Sequence, residues 1–179
     1  MIRAALLSPI LAAAFSQDVL AEDALARLKQ DLAAGPSATQ VLTNWCGALH
    51  LADPPQIRAQ QVQDPHPAGP KERALLQVSP AEPVAYRRVQ LTCGGHVLSE
   101  ADNWYVPARL TAAMNQTLNT SDTPFGTAVK ALNFHRVTLS AAPLNQGRTV
   151  FQVQAVLLTP EDRPISLVVE NYQQDLLGP

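Results

Sequence analysis

Hydrophobic spacing divides the chain into a helical first third and a β-rich remainder. Between Glu22 and Ala34, Leu25, Leu28 and Leu32 recur at helical spacing, while Arg27, Lys29 and Asp31 take other positions. That pattern predicts an amphipathic helix, ended by Gly35-Pro36. Ser37 then opens a second helix with Gln40 three residues on as a capping box, and Val41, Leu42 and Trp45 form its buried stripe. From His50 to Pro83 the pattern weakens. Gln56–Val62 reads as a strand, Asp64–Pro70 (DPHPAGP) as a surface loop, and Glu72–Val78 fits either a short helix or an extended segment.

Two-fold alternation then takes over. In Val84–Cys93 the residues Ala85, Arg87, Val89, Leu91 and Cys93 share one face, and Val84, Tyr86, Arg88, Gln90 and Thr92 the other. Gly94-Gly95 turns the chain, and His96–Pro107 returns as a strand with an irregular middle at Glu100–Asn103. Thr111 caps a helix running through Leu118, and a short helix carrying Val129 and Leu132 follows Gly126. Asn133–Ala141, Thr149–Thr159 and Pro164–Gln173 are strands, the last two joined by a hairpin at Pro160–Arg163. Helices first and long strands afterwards, joined by short turns, predict an α+β domain: an antiparallel β-sheet with helices packed on it.

Composition narrows the picture. A chain of 179 residues suits one domain with a sizeable core. Its net charge of −2 offers no basic footprint, so no nucleic-acid partner is expected from it. Residues 1–21 stand apart: Arg3, an apolar run from Ala4 to Phe15, then a polar stretch ending Val19-Leu20-Ala21. This is the pattern of a cleaved signal peptide, and the run is too short to span a bilayer. The expectation is export to the periplasm or medium, with a mature domain over 22–179 and no stable membrane insertion once the leader is removed. The alternative is a cytoplasmic protein in which this stretch packs as a helix. Cys46 and Cys93 either pair in an oxidising compartment or serve as small buried hydrophobes.

No phosphate loop, GxGxxG, HExxH or GxSxG occurs, and His50, His66, His96 and His135 are scattered, so neither metal nor cofactor is expected. The order RRVQLTCGG, a second strand ending at Pro107, a helix, TPFG, two strands and SLVVENY resembles chorismate lyase (chorismate–pyruvate lyase) over about Glu22 to Leu177. The resemblance implies a small buried site closed by helical flaps, and a fold shared with ligand-sensing domains of bacterial regulators. It implies elimination of pyruvate from chorismate to leave 4-hydroxybenzoate, without metal or organic cofactor. It assigns carboxylate binding to Arg88 and proton chemistry to Glu170. It adds ligand contacts at Phe125 and Gly126 in the Thr123–Gly126 turn and at Ala38 in Ser37-Ala38-Thr39. The chain departs from the family pattern at Ala38, where methionine is usual, and at Phe125, where leucine is.

The chemistry of these residues is compatible with those roles. A guanidinium binds a carboxylate bidentately. Glu170, between Val168 and Tyr172 on an apolar strand face, would hold a proton more tightly if that face is buried. Each residue also has a plainer reading. Adjacent strand arginines are often solvent-facing salt-bridge partners, Glu170 would serve as an ion-pair partner for Arg87, and TPFG would be only a turn. Two functions therefore stand open: a lyase, or an exported non-catalytic binder of a small aromatic carboxylate, monomeric in either case.

Overall fold

The computed structural model describes residues 10–35 and 37–178. The chain opens with helix α1 (Ile10–Ala34) and α2 (Ala38–Ala48), followed by strand β1 (Arg58–Val62) and the short α3 (Pro70–Leu75). Strands β2 (Ala85–Cys93) and β3 (His96–Tyr105) form a hairpin, and α4 (Ala112–Thr120) and α5 (Phe125–Ala128) lead into β4 (His135–Gln146), β5 (Thr149–Leu158) and β6 (Pro164–Gln173). The six strands make one fully antiparallel sheet in the order β1-β2-β3-β6-β5-β4. The architecture is the α+β one expected.

The first helix is longer than its leucine pattern: it starts at Ile10, among residues assigned to a leader, and it buries Ala24, Leu28 and Leu32. The first nine residues of that leader lie outside the described part. Ser37 caps α2 as expected, its Oγ accepting from the Gln40 N–H at 3.2 Å. The second half of the capping box does not form. Gln40 Nε2 donates instead to Asn44 Oδ1, a partner one helical turn on.

Two layers of helix cover the sheet unequally. On one face α1 and α2 bury Leu28, Val41, Leu42 and Cys46 against Val89, Leu91, Ala101, Val153, Val168 and Tyr172. Further along, α4 and α5 bring Met114, Leu118, Phe125 and Val129 onto Tyr105, Leu157 and Ile165. The opposite face carries a smaller core in which Leu76 meets Trp104, Val156 and Leu167. Cys46 of α2 and Cys93 of β2 are joined in a disulfide that closes a loop of 47 residues, with 6.2 Å between the Cα atoms.

The stretch Glu100–Asn103, expected as an irregular middle of β3, is regular strand. Alternation explains it: Ala101 and Asn103 point to the helix-covered face and are buried, while Glu100 and Asp102 point to the other. The irregularity sits one turn earlier, where the β2–β3 register shifts between Leu91 and Thr92.

Candidate functional site

The helix-covered face of the sheet is not completely filled. Between the first turn of α2, the start of α5 and the strands lies a partly open cavity of about 50 Å³. A single water needs roughly 10–15 Å³ on this measure, so the space suits a ligand the size of one small ring. Ala38, Val89, Leu91, Ala101, Phe125, Phe134, Leu157 and Val168 make its walls largely apolar. Its charged members are Arg87, Arg136 and Glu170, with Asn103, Ser37 and Thr39 as further polar groups.

Strand register places the polar groups. Arg87 of β2 lies opposite Asn103 of β3, which lies opposite Val168 of β6. The next row on the same face is Val89, Ala101 and Glu170. At the rim, Gly126 lets α5 approach α2: a Cβ there would stand 3.3 Å from Thr39 Oγ1 and 3.7 Å from Phe134 Cζ.

Arg87 is the unusual member. Only 7% of it is exposed, and neither Nε nor Nη2 finds an acceptor in the protein. Burial pulls its guanidinium below the ordinary arginine value, and nearby Tyr105 offsets this only in part. Native interiors seldom leave such donors unmatched, and a guanidinium is able to pair with an anion.

Glu170 is equally buried but is partnered through one of its oxygens. Arg136 Nη2 forms an ion pair with Glu170 Oε2, and the Tyr172 hydroxyl donates to the same oxygen at 2.9 Å. Burial works against the charge on Arg136, but Glu170 and Tyr172 beside it outweigh burial and hold its pKa above the ordinary value. Burial first, and then the Glu170 carboxylate, push the Tyr172 hydroxyl well above its usual value. Glu170 is therefore partnered by Arg136 and not by Arg87.

Of the residues singled out from sequence, Glu170, Ala38, Phe125 and Gly126 all border this cavity, and Arg88 does not. The correction follows from alternation. Two adjacent arginines on a strand must point to opposite faces, and the one that shares a face with Val89 and Leu91 is Arg87. Arg88 emerges on the far side, bonded to Asp64 at 2.8 Å and near Glu100 and Asp102 at 3.8 and 3.9 Å. There Tyr86 donates to Asp102 at 2.5 Å and packs with Trp104 and His66, so the face of Tyr86 is an aromatic and ion-pair surface away from the cavity. Arg136 and Asn103 were not singled out from sequence. Both lie in strands whose other residues gave no hint of which polar side chain turns inward.

Among the described residues no group of three or more His, Cys, Asp or Glu is arranged to hold a metal ion, and no helix is long and apolar enough to cross a membrane.

No family model matches the chain. Solved structures resemble it in fold. The effector domain of PhnF from Mycobacterium smegmatis superposes with a TM-score of 0.56 at 16% identity, covering 78% of this chain and 90% of that one. YydK from Bacillus subtilis, described as a possible transcriptional regulator, gives 0.52 at 13% identity over 67% of this chain. This chain spans only 60% of the length of YydK. The ligand-binding domain of a GntR-family protein from Bordetella bronchiseptica gives 0.50 at 18% identity, covering 67% and 84% of the two chains. The six-stranded α+β fold is thus that of the C-terminal effector domains of GntR-type regulators. In sequence, the protein y4mC of Sinorhizobium fredii, described as uncharacterized, is 43% identical over 86% of this chain and 75% of its own length. The chain belongs to the family of y4mC.

Proposed function

We propose that this protein binds a small aromatic carboxylate, of the size and chemistry of 4-hydroxybenzoate, in the cavity under α2 and α5. One observation carries the reading: Arg87 is buried with two N–H donors unmatched by protein, at the wall of an otherwise apolar space. A carboxylate pairs with the buried guanidinium, and a flat ring matches the aliphatic and aromatic walls. The protein acts outside the cytoplasm. The apolar N-terminal run supports this, as does the Cys46–Cys93 disulfide, a bond that persists in oxidising compartments.

Calorimetric titration of the purified chain with 4-hydroxybenzoate tests the reading. Saturable binding of one ligand per chain, lost in Arg87→Met, is expected. Equal binding by Arg87→Met removes Arg87 as the anchor, and no binding refutes the ligand class. Fractionation of cells, with the N-terminal residue of the mature protein, tests export. A cytoplasmic chain with its intact N-terminus contradicts it.

A second reading, chorismate lyase activity, is favoured by Glu170, a buried carboxylate on the same wall. Elimination moves a proton from the ring carbon bearing the hydroxyl while the neighbouring carbon–oxygen bond breaks, which yields 4-hydroxybenzoate and enolpyruvate. Glu170 would take part as the relay that passes the proton to the departing oxygen, with Tyr172 and Arg136 holding its carboxylate in place. Pyruvate and 4-hydroxybenzoate appearing together from chorismate, and abolished in Glu170→Gln, would support this reading. Absence of both products with wild-type protein that binds 4-hydroxybenzoate rejects it.

A further inference from the structure

The three charged groups around the cavity are not equivalent. Arg136 and Glu170 neutralise each other within the wall, and Tyr172 donates to Glu170 as well. Arg87 meets no carboxylate among the described residues, so the wall carries one uncompensated positive charge. Next to Arg87 across the β2–β3 pair stands Asn103, only 4% exposed. The Ser166 hydroxyl donates to Asn103 Oδ1 at 2.5 Å. That bond uses the acceptor end of the amide and leaves its donor end, Nδ2, for the cavity.

Resting on the carboxylate reading above, we infer that this is a single-carboxylate site that rejects dicarboxylates, with Asn103 as the specificity-determining residue beside Arg87. The first carboxylate accepts from the Arg87 guanidinium and from Asn103 Nδ2. A second carboxylate brought into the same cavity finds no uncompensated cation, because Glu170 already neutralises the charge of Arg136, even though Arg136 Nε has no acceptor of its own. It would be desolvated without a counter-charge and would share a small space with the Glu170 carboxylate. The ligand therefore carries one carboxylate, and its remote end is neutral. A hydroxyl there fits, since it donates and needs no counter-charge. The same reasoning disfavours chorismate, which carries two carboxylates.

The inference is tested by titrating the full chain at neutral pH with benzoate, benzamide and terephthalate. Benzoate is expected to bind on the order of a hundredfold more tightly than either of the others, as expected when a buried charged group is left unmatched. Terephthalate binding as tightly as benzoate overturns the single-carboxylate site while leaving the carboxylate reading intact. Binding by none of the three overturns both. Asn103→Asp places a carboxylate beside Arg87 and cancels its charge, so benzoate binding is lost and benzamide becomes the preferred ligand. Retention of the benzoate preference in that variant removes Asn103 from the role. Glu170→Gln releases Arg136, and terephthalate should gain at least about tenfold relative to benzoate. An unchanged ratio in folded Glu170→Gln contradicts the neutralisation argument, and the wild-type panel decides the matter if that variant fails to fold.

Discussion

Replacing Arg87 by methionine should make the protein more stable and less able to bind. Methionine keeps an unbranched side chain of similar reach, fills the same channel between Asn103 and the α2 turn, and carries no donor that needs an acceptor. In the wild type, Nε and Nη2 are buried without protein acceptors in a residue only 7% exposed. Each buried unmatched donor costs about 1–3 kcal/mol, and water reaching the cavity recovers part of that. A net gain of about 2 kcal/mol is the result, which for a chain of 179 residues corresponds to a Tm rise of roughly 4–8 °C. Binding moves the other way. Two charge-assisted hydrogen bonds at about 1.5–3 kcal/mol each are lost, so affinity for 4-hydroxybenzoate falls by on the order of a hundredfold or more. Urea denaturation without ligand and calorimetric titration, run on the same two preparations, read both signs. An Arg87→Met protein that is less stable than wild type yet binds as tightly would mean that Arg87 supports the fold and not the ligand.

Further outcomes follow from the same geometry. Arg88→Ala should leave ligand affinity within about twofold and cost at most about 1 kcal/mol, since its ion pairs are partly exposed on the far face; an affinity loss like that of Arg87→Met would reinstate it as an anchor. Joint replacement of Cys46 and Cys93 by serine should destabilise the fold by about 4 kcal/mol on loop-entropy grounds for a closed loop of 47 residues, and should loosen the α2 turn that walls the cavity. A loss under about 1 kcal/mol in urea would show that the disulfide adds little. Alkaline pH should unfold the protein through its buried tyrosines. Burial raises the folded pKa of Tyr172 and Tyr105 above the unfolded value near 10. Each holds its proton more tightly when folded, so its contribution is complete below pH 10 and falls by about 1.4 kcal/mol per pH unit above it. Tyrosinate absorbance rising before the loss of helical circular dichroism would contradict this order of events.

Much of the architecture was legible from spacing alone, because alternation and helical periodicity report burial directly. Leu28, Leu32, Val41 and Leu42 sit where their pattern puts them, and the last two strands run within a residue of their expected ends, while β4 continues past its expected end at Ala141 to Gln146. The site was half legible. Period-two alternation set Arg87 beside Val89 and Leu91, the more apolar face, and that was the signal for the inward arginine. The chorismate-lyase resemblance pointed instead to its neighbour Arg88, one residue away and on the opposite face. Arg136 was not legible, since His135–Gln146 is largely exposed and its one inward cation is selected by Glu170, a partner 34 residues on. Asn103 was hidden in a stretch that reads as an irregular middle of the strand, whereas its amide is bonded by Ser166, which is 63 residues away. Contacts of that range are set by the sheet order β3-β6-β5-β4, which no local pattern encodes.

The most direct test of the central claim is a crystal structure of the protein soaked or grown with 4-hydroxybenzoate. The account predicts the ring under α2 and α5, with its carboxylate within hydrogen-bond distance of the Arg87 guanidinium and of Asn103 Nδ2. A ligand seated by Arg88 on the far face, or one lying in the cavity with its carboxylate turned away from Arg87, would contradict it.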